Sequence, residues 1–142
     1  EMLLKDFQPG KYELVFLDIF LEEGALNGIG TAERLRALDS RVKLVFVTCG
    51  ADGCYFKNSR AAGREPALPG LRIADTTGAG DIFGGSAVWK LLRYGVLPEE
   101  LGESALRDIV SFACAAAGLS ATRPGGISSI PEYDEVLRAL NR

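Results

Sequence analysis

The stretch that most constrains the fold is RVKLVFVTCG, Arg41 to Gly50. Val42, Leu44, Val45, Phe46 and Val47 form a nearly continuous apolar, β-branched run that stops at Thr48-Cys49-Gly50. Extended, such a run is apolar on both sides, so it belongs in the centre of a covered sheet. Upstream, YELVFLDIFL (Tyr12–Leu21) is apolar and aromatic enough for another buried strand. Between the two, LEEGALNGIG is interrupted by three glycines. Thr31 is then placed to cap a short helix over Ala32–Leu38. Strand–helix–strand order favours an α/β sheet with helices packed on it.

Further along, ADGCYFKNSR reads as a hairpin. Asp52-Gly53 supplies a turn, Cys54–Lys57 a short strand, and Asn58-Ser59 a second turn. Pro66 and Pro69 carry the chain across the surface. A helical pattern runs from Asp81 to Tyr94 and closes on Gly95, a C-cap residue. Pro98 opens a short helical turn. Ser104–Ala121 is apolar on most faces, so a buried helix is expected. TRPGGISSIP is a loop, and Pro131 starts a last amphipathic helix that runs to Leu140. The 142 residues suffice for one domain with a real core.

Bulk properties narrow the function. Sixteen basic and 19 acidic residues give a net charge of −3, and no basic run is present to meet a phosphate backbone, which argues against nucleic acid. The apolar stretches Leu14–Leu21 and Val110–Leu119 are too short or too broken to span a bilayer. Glu1–Gly10 reads as the start of a fragment, and Glu1–Leu4 lacks the basic region of a signal peptide. Cys49, Cys54 and Cys114 contain no C-x-x-C pair and read as free thiols of a cytoplasmic protein. The chain has no histidine, so chemistry within it falls to carboxylates, backbone groups, Lys and Arg.

The segment DTTGAGDIFGG, Asp75 to Gly85, is where such chemistry concentrates. Gly78, Ala79 and Gly80 expose backbone N–H groups at a helix start, where the macrodipole favours an anion. Asp81 follows in the first turn, placed to take a proton from a hydroxyl. An anion hole beside a base suits phosphoryl transfer to an alcohol. A plainer reading stays open at this point, in which Asp81 is a helix cap and the glycines a tight turn. The segment has neither the Lys-Ser/Thr of a Walker loop nor the spacing of G-x-G-x-x-G.

DTTGAGD resembles the C-terminal signature of the ribokinase-like (PfkB) carbohydrate kinases. VFVTCGADG is similar to that family's T-x-G-x-x-G strand and turn, and FACAAAGLSATRPGGISSIP to its nucleotide and cation segment. The resemblance implies a ribokinase-like α/β fold with a mostly parallel central sheet flanked by helices. It implies Asp81 as the base, with Gly78, Ala79 and Gly80 as the anion hole. Thr48, Gly50, Gly53, Gly80 and Cys114 would lie along ATP. Asp75 and Thr77, backbone groups of Ser120, Arg123 and Gly125, and the side chain of Ser129 would hold potassium. For Asp75 the alternative is a side chain that only fixes the turn, and for Arg123 a solvated loop charge.

Two departures accompany the resemblance. Cys114 stands where the family commonly has Asn or His near the adenine, and the N-x-x-E element tied to Mg²⁺ has no match upstream of Thr48. Glu22 and Glu23 are near its place but out of pattern. Family members are more than twice this long. Residues 1–142 therefore read as the C-terminal nucleotide-binding portion, without the half that carries the lid and most sugar contacts. Exposed apolar edges would favour self-association, as a homodimer or an aggregate. The wording is most like bacterial fructokinases, which implies fructose as acceptor. The alternatives are ribose, 2-keto-3-deoxygluconate or adenosine, and a nucleotide-binding module without catalysis.

Overall fold

The computed structural model describes residues 7–18, 28–40 and 42–141. Four strands form one sheet in the order β1 (Leu14–Asp18), β2 (Leu44–Thr48), β3 (Cys54–Asn58) and β4 (Ala62–Glu65). β1 and β2 are parallel, with Leu14 opposite Leu44 and Asp18 opposite Thr48. The β2–β3 and β3–β4 pairs are antiparallel, so the parallel character of the described sheet resides in β1 and β2. The helices are α1 (Gly28–Leu38), α2 (Ala79–Tyr94), α3 (Glu103–Ser120) and α4 (Tyr133–Leu140).

β2 sits between β1 and β3, and its period of two feeds two cores. Leu44 and Phe46 join Cys54 and Phe56 beneath α2 and α3, against Phe83, Ala87 and Leu91 of the one and Leu106, Ile109, Val110 and Ala113 of the other. Val45 and Val47 turn the other way, onto Leu17 and onto Leu35 of α1. A third cluster packs Val136 of α4 on Phe112, Ala115 and Ala116 of α3. The near-continuous apolarity of α3 follows from this position, with the sheet on one side and α4 on the other.

Several details differ from the sequence reading. α1 starts at Gly28, so Thr31 lies inside the helix and is buried rather than capping it. Packing of Ala32 and Leu35 against the sheet sets the helix, not the local cap signal. β1 ends at Asp18, and residues 19–21 of the expected strand lie outside the described residues. Phe16 of β1 is 38% exposed, with its ring stacked on Phe46 at 5.2 Å and edge-on to Phe83 at 6.3 Å.

β4 was not expected, since Ala-Gly-Arg-Glu is a poor strand sequence. Long-range contacts impose it. The buried Asn58 side chain accepts the N–H groups of Arg60 and Ala61 at 2.9 and 2.7 Å, shaping the turn. Its amide donates to the carbonyls of Pro98 and Leu101, fastening the hairpin to the short helical turn at Pro98–Glu100. Glu65 accepts from Ser111 at 2.9 Å and from Arg107, both on α3.

Gly53 has φ +89°, and a Cβ there would lie 2.0 Å from the Glu65 carbonyl oxygen and 2.7 Å from the Ala67 nitrogen. Both obstacles are backbone, so nothing can swing aside. Gly53→Ala is expected to lower unfolding free energy by about 3 kcal/mol in urea titration, combining left-handed strain with the clash. A loss below about 0.5 kcal/mol, the size of a neutral surface change, would contradict this packing.

Candidate active site

The candidate site forms where the loop entering α2 meets the loop leaving α3. Gly78 is the N-cap of α2 in the left-handed region, φ +75°. Only glycine adopts that geometry at little cost, and a Cβ here would also touch Gly126 Cα at 3.4 Å. The Ala79 N–H is held by the Thr76 carbonyl at 3.1 Å, closing the turn before the helix. That corrects one part of the expected anion hole: Ala79 is not a free donor. Gly78, Gly80 and Asp81 keep backbone N–H groups without an acceptor among the described residues. First-turn amides have no intrahelical partner, and the dipole makes this end attractive to an anion.

Asp81 is the third residue of α2 and exposed. Gly78 is the cap, no side chain caps this helix, and the Asp81 carboxylate has no hydrogen bond or ion pair among the described residues. The plain capping role is thereby excluded. Two residues on, Phe83 packs edge-on against Phe46 with centroids 6.1 Å apart. Phe46 lies two residues before Thr48, so one core contact fastens the start of α2 to the last turn of β2. A cavity of about 520 Å³ opens beside Gly78 and Asp81 and reaches Gly126, Trp89, Phe112 and Tyr133. Trp89 stacks on Phe112 at 5.5 Å, and Tyr133 meets Trp89 edge-on at 5.5 Å.

Asp75 joins the two loops. One carboxylate oxygen accepts the Thr77 N–H at 2.9 Å and the other the Gly125 N–H at 3.0 Å. The Ala121 carbonyl receives the N–H groups of Ala74 and Asp75 at 2.8 and 3.1 Å. Hydrogen bonds from the Thr77 side chain, the Gly125 amide and the Thr77 amide hold the Asp75 carboxyl below its ordinary range.

The remaining expected residues divide. Ser120 is buried, its hydroxyl donates to the Ala117 carbonyl, and its own carbonyl accepts the Arg123 N–H. The Ser129 hydroxyl donates to the Gly126 carbonyl. The Arg123 side chain, 40% exposed, pairs with Glu135 of α4. Asp75, Thr77, Ser120, Arg123, Gly125 and Ser129 thus belong to one pair of linked loops. The Thr48 hydroxyl reaches the Leu17 carbonyl at 3.3 Å, tying β2 to β1. Gly50 has open space around it, whereas Gly53 is enclosed by backbone.

Cys114 lies on α3. It is 7% exposed, in the core with Cys54 and Phe56, and burial pushes its thiol up to about 12. The side of α3 that carries it faces the sheet, so its thiol packs in the core. Sequence reasoning missed Glu135 and the aromatic wall of Trp89, Phe112 and Tyr133. A first-turn acidic residue on α4 was visible, but nothing local paired it with Arg123.

The α/β sheet, with α1 on one face and α2 and α3 on the other, is the ribokinase-like fold shared with solved ribokinase and fructokinase structures. Residues 22–133 match the pfkB family of carbohydrate kinases, and the chain belongs to that family. It is 31% identical over 114 residues to fructokinase-2 of Solanum lycopersicum, covering 80% of this chain and 34% of that protein. The ribokinase structure from Thermotoga maritima superposes with a TM-score of 0.68 at 29% identity, covering 92% of this chain and 42% of that one. The fructokinase structure with bound ATP from Xylella fastidiosa gives 0.75 at 22% identity, with 91% and 42% covered. The chain therefore spans about a third of the length of the curated fructokinase it resembles.

The Asp75 carboxyl titrates below its unfolded value of 3.8, so the folded state binds fewer protons than the unfolded chain just below that pH. Its stabilising contribution is complete above the unfolded value and is lost as pH falls through the folded one. Asp75→Asn is expected to flatten the acid limb of a melting-temperature profile below pH 3.8 while leaving the neutral-to-alkaline shape unchanged. An acid limb identical to the unsubstituted chain's would contradict the bonds to Thr77 and Gly125.

Proposed function

We propose that residues 1–142 are the C-terminal nucleotide-binding portion of an ATP-dependent kinase acting on a sugar hydroxyl, with fructose as the first acceptor to test. The observation that carries the reading is the uncommitted Asp81 carboxylate beside the unpaired Gly78, Gly80 and Asp81 amides. In this reading the amides and the α2 dipole hold the γ-phosphoryl oxygens as charge develops on them. The acceptor hydroxyl hydrogen-bonds to Asp81. As its oxygen bonds to phosphorus and the bond to the β-phosphate oxygen breaks, the proton passes to Asp81 and ADP leaves.

Thr48 and Gly50, at the open end of β2, are the remaining candidates for the nucleotide side; Gly53 supports that turn from beneath. Among the described residues no three His, Cys, Asp or Glu side chains converge on one point. Magnesium in this reading is held chiefly by the ATP phosphates and water, as is common for that ion, and neutralises phosphate charge. The linked loops offer oxygen donors suited to potassium: the Asp75 carboxylate, the Ser129 hydroxyl, Thr77, and backbone carbonyls of Ser120, Arg123 and Gly125. A cation held there adds positive charge behind the cradle. No helix among the described residues is long and apolar enough to cross a membrane. A cytoplasmic location fits this reading and the free thiols.

The test is Asp81→Asn in a chain of full family length that contains this sequence. Turnover with fructose should fall by about 10²–10⁴-fold, the usual contribution of a general base. ATP affinity should stay within about twofold, because the base acts in the transition state. Unchanged turnover would remove Asp81 from the chemistry. Tight ATP binding by the unsubstituted protein with no sugar phosphorylated would favour the binding-module reading.

A further inference from the structure

The Arg123–Glu135 pair stands outside the residues that touch a reactant in the proposed mechanism, yet it bears on the cradle. The loop after α3 contains Pro124-Gly125-Gly126, and Gly125 has φ +92°, with a would-be Cβ 2.7 Å from the Ser128 hydroxyl. That conformation delivers the Gly125 N–H to Asp75. Gly125 and Gly126 have the wide conformational freedom of glycine, so the geometry at Gly125 must be held from its two sides. On one side, Thr122 and Arg123 N–H groups close back onto the Leu119 and Ser120 carbonyls at the end of α3. On the other, the Arg123 guanidinium reaches across to Glu135 in the first turn of α4.

α4 is a firm anchor for that contact. Its Val136, next to Glu135, is buried on Phe112, Ala115 and Ala116 of α3. The Glu135 N–H is held by the Glu132 carbonyl at 3.0 Å. Glu135 lies in the first turn of α4, where the helix dipole favours an acidic side chain. Contacts and chain connectivity alternate along this route: Val136 packs on α3, its neighbour Glu135 pairs with Arg123, Arg123 leads through Pro124 to the Gly125 amide, and Asp75 joins that amide to Thr77, next to Gly78. The two loops also run close together there, since a Cβ added at Gly78 would lie 3.4 Å from Gly126 Cα.

We propose that Glu135 is a positioning residue for the phosphate cradle, acting through its ion pair with Arg123 to fix the loop that holds Asp75. The cradle's role in binding nucleotide rests on the proposed function; the coupling of Glu135 to the Gly125 amide does not. The two parts are read separately in one experiment on this chain. Amide exchange at Gly125 is measured by NMR in the unsubstituted chain and in Glu135→Gln, with Val110 and Ala113 of α3 as the reference for global stability. ATP affinity is measured on the same samples by calorimetry.

Glu135→Gln should speed Gly125 exchange by about fivefold, the scale of losing a half-exposed ion pair, and leave Val110 and Ala113 unchanged. ATP affinity should fall by a similar factor. The charge exchange Arg123→Glu with Glu135→Arg should restore both, a rescue that separates the pair itself from either side chain's packing. Unchanged Gly125 exchange would overturn the proposal, as would equal acceleration at Gly125, Val110 and Ala113. Faster Gly125 exchange with unchanged ATP affinity would overturn the link to the cradle. If the unsubstituted chain bound no ATP, the nucleotide reading of this chain would fail while the exchange rates still decided the coupling.

Discussion

The Asp75 carboxylate is the contact on which the site depends. It bridges residues fifty positions apart in sequence, through the Gly125 N–H, and at the same time fixes the local turn through the Thr77 N–H. The core alone sets the axis of α2, by packing Phe83, Ala87 and Leu91 beneath it. It does not set the last residues before the helix, where the backbone must reverse into the left-handed Gly78. Asp75 does that, using a charged acceptor whose bonds to N–H groups are stronger than neutral ones. The same bonds are the cause of its lowered titration.

Two separately built parts meet at that point. The packed part is β2 between its neighbours, with α2 and α3 on one face and α1 on the other. The polar part consists of the two loops, tied by Asp75, by the Ala121 carbonyl and by the close approach of Gly78 to Gly126. Preorganised donors at a helix end are effective because they need not reorient as charge appears on a reactant. Asp81 complements them, since it is covalently fixed to the same first turn and carries no structural bond among the described residues. A residue free of structural duty, next to residues fully occupied by it, is the distinction that separates Asp81 from Asp75.

Much of the packed part was legible in the sequence because periodicity reports burial directly. The apolar run of β2, the pattern of α2 ending at Gly95, and the apolar faces of α3 all reappear close to where expected. The family motifs likewise pointed to the loops that the fold brings together. What escaped detection depends on distant partners. β4 is a poor strand sequence held by Asn58, Arg107 and Ser111 from elsewhere in the chain. Thr31 looked like a cap, but packing of the following residues extended the helix past it. Cys114 matched a motif position, yet helix rotation turned its thiol into the core. Ala79 looked like a free donor until the Thr76 carbonyl claimed its N–H.

In the proposed function the start of α2 receives phosphate directly through its backbone. It is tested by recording amide ¹H–¹⁵N shifts of this chain during titration with ATP, and separately with adenosine. ATP should move the Gly78, Gly80 and Asp81 amides most, with the Gly80 and Asp81 protons shifting downfield, and adenosine should leave those three in place. Shifts confined to other parts of the chain under saturating ATP, with Gly80 and Asp81 unmoved, would contradict it.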